Sequence, residues 1–344
     1  MSNLLQEMLA ERPWLLADGA TGTNFFAAGL EAGAAPELWN LEQPEKVLAQ
    51  YKSFIDAGSD IILTNTFGGT RYRLKLHGAD DKVAEINIAA ARLARQAADE
   101  AADETGRKIV VAGSMGPTGE LFMPLGPLSM VEGTAAFAEQ AHALAEGGVD
   151  VLWIETLYAF DELTAAVTGA RATGLPLVCT MSFDTAGRTM MGISGPQLAE
   201  KAHEMSPHPL AIGANCGIGP SELLAVLVQM KAALGPDDIL VAKSNCGVPE
   251  FVGGEIQYQG TPELMADYAR MAVDAGARII GGCCGTAPEH LRAMRTALEA
   301  HTPGPAPDLD AIVSRLGQIS SGAQQQLGGA AARAGGERRG RRRR

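Results

Sequence analysis

The chain has 344 residues, 46% hydrophobic and 20% charged, which is enough for one large domain or two ordinary ones around a substantial core. Its net charge is −12, and the seven arginines and one glutamate of residues 317–344 leave −18 on the rest, an acidic body that excludes nucleic acid as an expected partner. No run approaches the ~20 apolar residues of a membrane span, and the opening MSNLLQEMLAERPW lacks a basic segment followed by an apolar run, so no membrane partner and a cytoplasmic location are expected.

In chain order, apolar and β-branched runs alternate with longer segments of helical period. WLLADGA (14–20) comes first, and Pro44-Glu45 then opens a helix before DIILTNTF (60–67). KIVVAGSMG (108–116) and VDVLWIET (149–156) follow, with Asp161-Glu162 starting the next helix. PLVCTMSF (176–183) and LAIGANCG (210–217) lead to a helix start at Gly219-Pro220-Ser221-Glu222. DILVAKSN (238–245) precedes Thr261-Pro262-Glu263, and RIIGGCCG (278–285) precedes Ala287-Pro288-Glu289. Proline and an acid in a first turn suit a helix N-terminus, where one donor is spare and the dipole favours negative charge.

Eight such units predict a single-domain α/β fold, a (β/α)8 barrel over residues 1–316, because parallel strands covered on both faces read as continuous apolar runs. A doubly wound open sheet is the alternative, but no GxGxxG follows the first strand. Residues 317–344, rich in Gly, Ala, Gln and Arg, are expected to form a disordered basic tail, solvated or touching a partner.

Five cysteines, an odd number, fit free or metal-bound thiols rather than a disulfide framework. Cys179 reads as a core residue. Cys216 ends the sixth run, and Cys283 and Cys284 end the eighth, so a barrel brings all three to the rim where such folds do their chemistry. Three thiolates with an open fourth position describe a zinc site for an exchangeable soft ligand, itself a thiol, and therefore alkyl transfer to sulfur. Cys246, at the end of the seventh run, lies near the same rim as a spare thiol or a further ligand. Asp18, Gly19 and Glu155 offer carboxylates for an ammonium and flexible backbone N–H groups for a carboxylate; Asn65, Thr66, Ser114 and Asn215 are candidate polar lining.

DGATGT (18–23), AGSDIILTNTF (57–67), GPTGE (116–120), IETL (154–157), GANCGIGP (213–220) and GGCCGTAPEHL (281–291) together resemble the zinc-dependent homocysteine S-methyltransferases. The resemblance implies Zn²⁺ on Cys216, Cys283 and Cys284, homocysteine near Asp18, Gly19 and Glu155, and methionine as product. DTAGRTMMG and NCGIGPSEL are similar to the methionine synthase branch, which implies methylcobalamin on a separate corrinoid protein as methyl donor, and nothing after residue 300 is long enough for a cobalamin domain. The alternatives are betaine or S-methylmethionine as donor, or a non-catalytic zinc or thiol-binding protein acting through its arginine tail. Gly68 and Thr156 stand where the betaine enzymes carry cage tyrosines, while Phe25, Phe26, Trp39, Phe67, Phe122 and Tyr158 are near the rim and available for a different cage.

Overall fold

The computed structural model describes residues 3–252 and 255–327. Its strands are β1 (Leu15–Leu16), β2 (Ile61–Leu63), β3 (Val110–Met115), β4 (Val151–Leu157), β5 (Leu177–Met181), β6 (Ala211–Cys216), β7 (Ile239–Ser244), β8 (Pro249–Val252), β9 (Glu255–Tyr258) and β10 (Ala277–Gly282). Eight of them form one parallel sheet in the order β1-β10-β7-β6-β5-β4-β3-β2, and a parallel bridge from Ala17 to Ile61 joins its two ends. This is the (β/α)8 barrel that the eight runs predict. The remaining pair, β8 and β9, is an antiparallel hairpin between β7 and the next helix.

Alternation sorts the strand residues into two cores. Leu15, Ala17, Ile61, Leu63, Val110, Ala112, Val151, Trp153, Val178 and Val241 fill the barrel interior, while Leu16, Ile62, Val111, Leu152, Ile154, Cys179 and Leu240 pack outward against the helices. The helix Leu4–Glu11 closes the N-terminal end: Asn3 and Gln6 form its capping box, and Leu5, Met8 and Leu9 join the interior cluster. Each of those three buried side chains contributes about 2 kcal/mol. Helices begin at Pro44, Pro220, Pro262 and Pro288, with Glu45, Glu222, Glu263 and Glu289 in their first turns.

Two runs are shorter as strands than as sequence. β2 stops at Leu63 because Thr64 and Thr66 turn their hydroxyls on each other at 2.6 Å and the chain leaves the sheet. β10 stops at Gly282, so Cys283 and Cys284 lie in a turn closed by the Thr286 N–H on the Cys283 carbonyl at 3.0 Å. Beyond residue 316 the chain forms a further helix, 321–327, and buries Ile319, Ala323 and Leu327 against the barrel helices. These three apolar residues at helical spacing extend the packed region past 317, whereas the arginine run lies outside the described residues. Among the described residues no helix is long and apolar enough to cross a membrane.

Candidate active site at the barrel rim

Cys216 is the last residue of β6 and has φ of +59°, so its side chain leaves the strand in a direction that regular pleating does not reach. Cys283 and Cys284 are held by the end of β7: the Cys283 N–H donates to the Ser244 carbonyl at 2.6 Å, the Cys284 N–H to Asn245 Oδ1 at 3.1 Å, and the Cys284 carbonyl accepts from the Cys246 N–H at 2.8 Å. Asn245 Nδ2 also donates to the Gly217 carbonyl at 2.6 Å and so ties the two cysteine loops together. Gly285 makes the turn possible, with φ of +79° and Tyr258 only 2.3 Å from where a Cβ would stand.

The result is one cluster in which the Sγ atoms of Cys216, Cys283 and Cys284 all lie within 4.8 Å of one another, the sole such group of ligand atoms among the described residues. A tetrahedral metal with bonds of about 2.3 Å to sulfur needs the sulfurs about 3.8 Å apart, so the donors fit a metal by number, softness and spacing. Hydrogen bonds from Cys216, and then from Cys283, hold the Cys284 thiol well below the ordinary range. Bonding to Cys283 and Cys284 pushes Cys216 up in compensation. Cys246 is not in the cluster; its thiol donates to the Gly260 carbonyl at 3.2 Å.

Beneath the thiols lies a charged pair that the sequence reading did not single out. Lys243 follows the inward-facing Val241 by two residues, so alternation turns it into the barrel, where its Nζ donates to Asp18 Oδ1 at 2.6 Å. Asp18 Oδ2 accepts the Leu63 N–H at 2.7 Å, and both side chains are almost wholly buried. The lysine stem passes Gly281, where a Cβ would come within 3.1 Å of Lys243 Cγ, and its ammonium lies 5.5 Å over the Trp153 ring. Burial opposes charge on both partners, but Asp18 and Glu155 outweigh it and hold Lys243 above its usual range. Burial pushes the Asp18 carboxyl up, against the pull of Lys243 and of the Leu63 N–H, the two donors that favour its ionised form.

Glu155 stands two residues beyond the inward-facing Trp153 and accepts the Ser114 hydroxyl at 2.5 Å. Burial pushes its carboxyl up to about 7, against the pull of Lys243. A cavity of about 490 Å³ opens from the rim onto these groups. Gly19, Asn65, Thr66, Ser114, Glu155, Cys216, Cys283, Cys284 and Lys243 line it, whereas Asp18 and Asn215 do not. Asn215 spends its amide on Thr156, accepting the backbone N–H at 2.9 Å and donating to the hydroxyl at 2.6 Å. That clasp holds Thr156 at φ +61° next to Glu155. Asn65 donates to the Pro36 carbonyl and to Asn40 Oδ1, so its side chain braces the loop after β2. Of the rim aromatics, only Phe26 and Phe67 line the cavity; Phe25 packs against Trp39 and Phe122 is in the core.

Fold and site together define a barrel enzyme whose rim joins a trio of thiols able to hold a metal to buried carboxylates. The family model for homocysteine S-methyltransferase matches residues 15–298, and the chain belongs to that family. It is a methyltransferase, which sets aside the non-catalytic alternative. Among solved structures, it is similar to the oxidised form of the homocysteine methyltransferase MmuM from Escherichia coli, with 26% identity, a TM-score of 0.71, and coverage of 86% of this chain and 99% of that one. The metallated form of the same protein shares the fold, with 23% identity, a TM-score of 0.71 and coverage of 85% and 99%.

Proposed function

We propose that this protein makes methionine by methylating homocysteine, with Zn²⁺ held by Cys216, Cys283 and Cys284. The observation that carries the reading is the convergence of these three thiols above a cavity floored by charged groups. When bound, the metal supplies deprotonation of the homocysteine thiol at neutral pH while leaving the sulfur nucleophilic. The chain's own residues orient the substrate. Glu155 accepts the ammonium, Ser114 fixes the rotamer of that carboxylate, and Gly19 keeps the wall thin where the amino-acid end lies against backbone. Once sulfur is oriented against the methyl carbon, the transfer is an in-line displacement that needs no general base from the protein. Five free cysteines fit a cytoplasmic setting.

The donor assigned here is methylcobalamin on a separate corrinoid protein. The motif wording supports this, and so does the surface: among the described residues Phe26, Phe67, Leu76, Leu121, Met123, Leu125, Met130, Val131, Met190, Met191 and Val248 are the exposed large apolar residues, and every one follows the C-terminal end of a barrel strand. An apolar rim around a reactive mouth suits a macromolecular donor. Betaine or S-methylmethionine is the second reading, favoured by a buried carboxylate, Glu37, that shares the cavity with Phe26 and Phe67. The test is methionine formation by zinc-loaded protein from homocysteine with methylcobalamin, betaine or S-methylmethionine. Turnover with methylcobalamin is expected; turnover with free betaine and no corrinoid protein overturns the donor assignment, and no methionine with any donor overturns the reaction.

A further inference from the structure

A lysine inside a barrel is costly, because a charge removed from water must be matched by partners, and a leucine of similar volume packs there without that penalty. Lys243 is nevertheless provided for on three sides. Asp18 supplies a counter-charge at 2.6 Å, Trp153 a ring face at 5.5 Å, and Gly281 the room for its stem. Asp18 takes one of the three ammonium donors, and Nζ makes no other hydrogen bond among the described residues. Asp18 does not line the cavity, whereas Lys243 and Glu155 both do. The charged lining thus divides in two: Lys243 and Glu155 lie with the thiols, while a second carboxylate, Glu37, lies with Arg73 and His77.

A thiol amino acid carries the complementary set: a sulfur, an ammonium and a carboxylate. We propose that Lys243 is the specificity-determining residue that pairs with the substrate's carboxylate, with Asp18 behind it as the group that holds the ammonium in place. The inference rests on the reading of homocysteine as substrate and assigns its third contact. The sulfur lies at the cysteine cluster, the substrate ammonium at Glu155, and the carboxylate at Lys243, with no bond made or broken at the lysine. Asp18 is then a positioning residue that acts through Lys243.

The test compares homocysteine with 3-aminopropane-1-thiol, which is homocysteine without its carboxylate, in calorimetric titrations of the zinc-loaded protein that need no methyl donor. The wild type is expected to bind homocysteine at least tenfold more tightly than the aminothiol. In Lys243→Met the preference collapses, with homocysteine weakened tenfold or more and the aminothiol within threefold of wild type; Lys243→Arg keeps the preference. Because Lys243→Met leaves Asp18 buried and unpaired, the double variant Lys243→Met/Asp18→Asn, which removes both charges, serves as the folded counterpart and must show the same collapse. Equal weakening of both ligands, or a preference that survives the loss of Lys243, overturns the proposal. Failure of the wild type to bind either thiol overturns instead the reading of the substrate, which separates the two.

Discussion

The two ends of the barrel treat buried carboxylates in opposite ways. At the closed end Asp60, itself 1% exposed, meets Arg12 at 2.8 Å, Arg295 at 2.9 Å and Arg107 at 3.7 Å, and also accepts the Leu16 N–H at 3.0 Å. At the open end two carboxylates, Asp18 and Glu155, share a single lysine, and three thiols converge beside them. Cation surplus at the floor completes a joint between the N-terminal helix region and the strands. Anion surplus at the rim leaves negative charge that, on the proposed reading, a metal dication and the substrate ammonium would match. An ionic cluster with no unmet demand is structural, and one with an unmet demand of defined sign is a binding site.

Breaking either end separates the two roles. The largest effect is expected from Cys216→Ala, Cys283→Ala or Cys284→Ala. Each leaves two thiols, too few to retain the metal, so turnover should fall by three orders of magnitude or more while far-UV dichroism stays unchanged, because the site is on the rim and not in a core. Zinc content by atomic absorption checks the cause; zinc loss accompanied by global unfolding would make the metal structural. At the other end, Asp60→Asn should cost about 2–3 kcal/mol in urea denaturation. That is less than the removal of one partner from a wholly buried pair, because the three guanidinia reach water. Homocysteine affinity should not change.

The pH dependence sharpens the contrast at the rim itself. Burial pushes Glu155 up to about 7, and only its ionised form pairs with an ammonium. Once the proton released by the homocysteine thiol itself is allowed for, affinity should therefore be full above that pH and fall as pH drops through it, by up to about tenfold per unit. Glu155→Gln should lower affinity at high pH and abolish the acid limb. A limb that persists in Glu155→Gln would assign the titration to another group.

Much of this was legible in the sequence, for a physical reason. Strands buried on both faces leave continuous apolar runs, and eight of them prescribe a barrel before any contact is known. The cysteine trio was legible because two neighbouring cysteines cannot both face a packed core, and the structure resolves the conflict by ending β10 at Gly282 and placing the pair in a turn. Lys243 was not read because DILVAKSN is apolar as a whole; the signal was positional, a lysine on the inward row two residues after Val241. The packing of Ile319, Ala323 and Leu327 escaped composition because three apolar residues spread over nine positions barely change an average, yet suffice for one helical face.

The smallest effect is expected at Cys246, and it tests how sharply the rim distinguishes its thiols. Cys246 sits two residues from Ser244 and its backbone N–H bonds the Cys284 carbonyl, so proximity alone would make it a fourth ligand. Its thiol instead donates to the Gly260 carbonyl at 3.2 Å, and burial pushes it up to about 12, far from the thiolate a metal requires. Cys246→Ala keeps the backbone bond, which carries the geometry of Cys284, and gives up only a weak thiol bond and a small buried volume. It should retain zinc and turnover within twofold and lose about 1 kcal/mol of stability. Loss of zinc in this variant would mean that the fourth thiol takes part, and that the cluster is a closed structural site with no position left for a substrate sulfur.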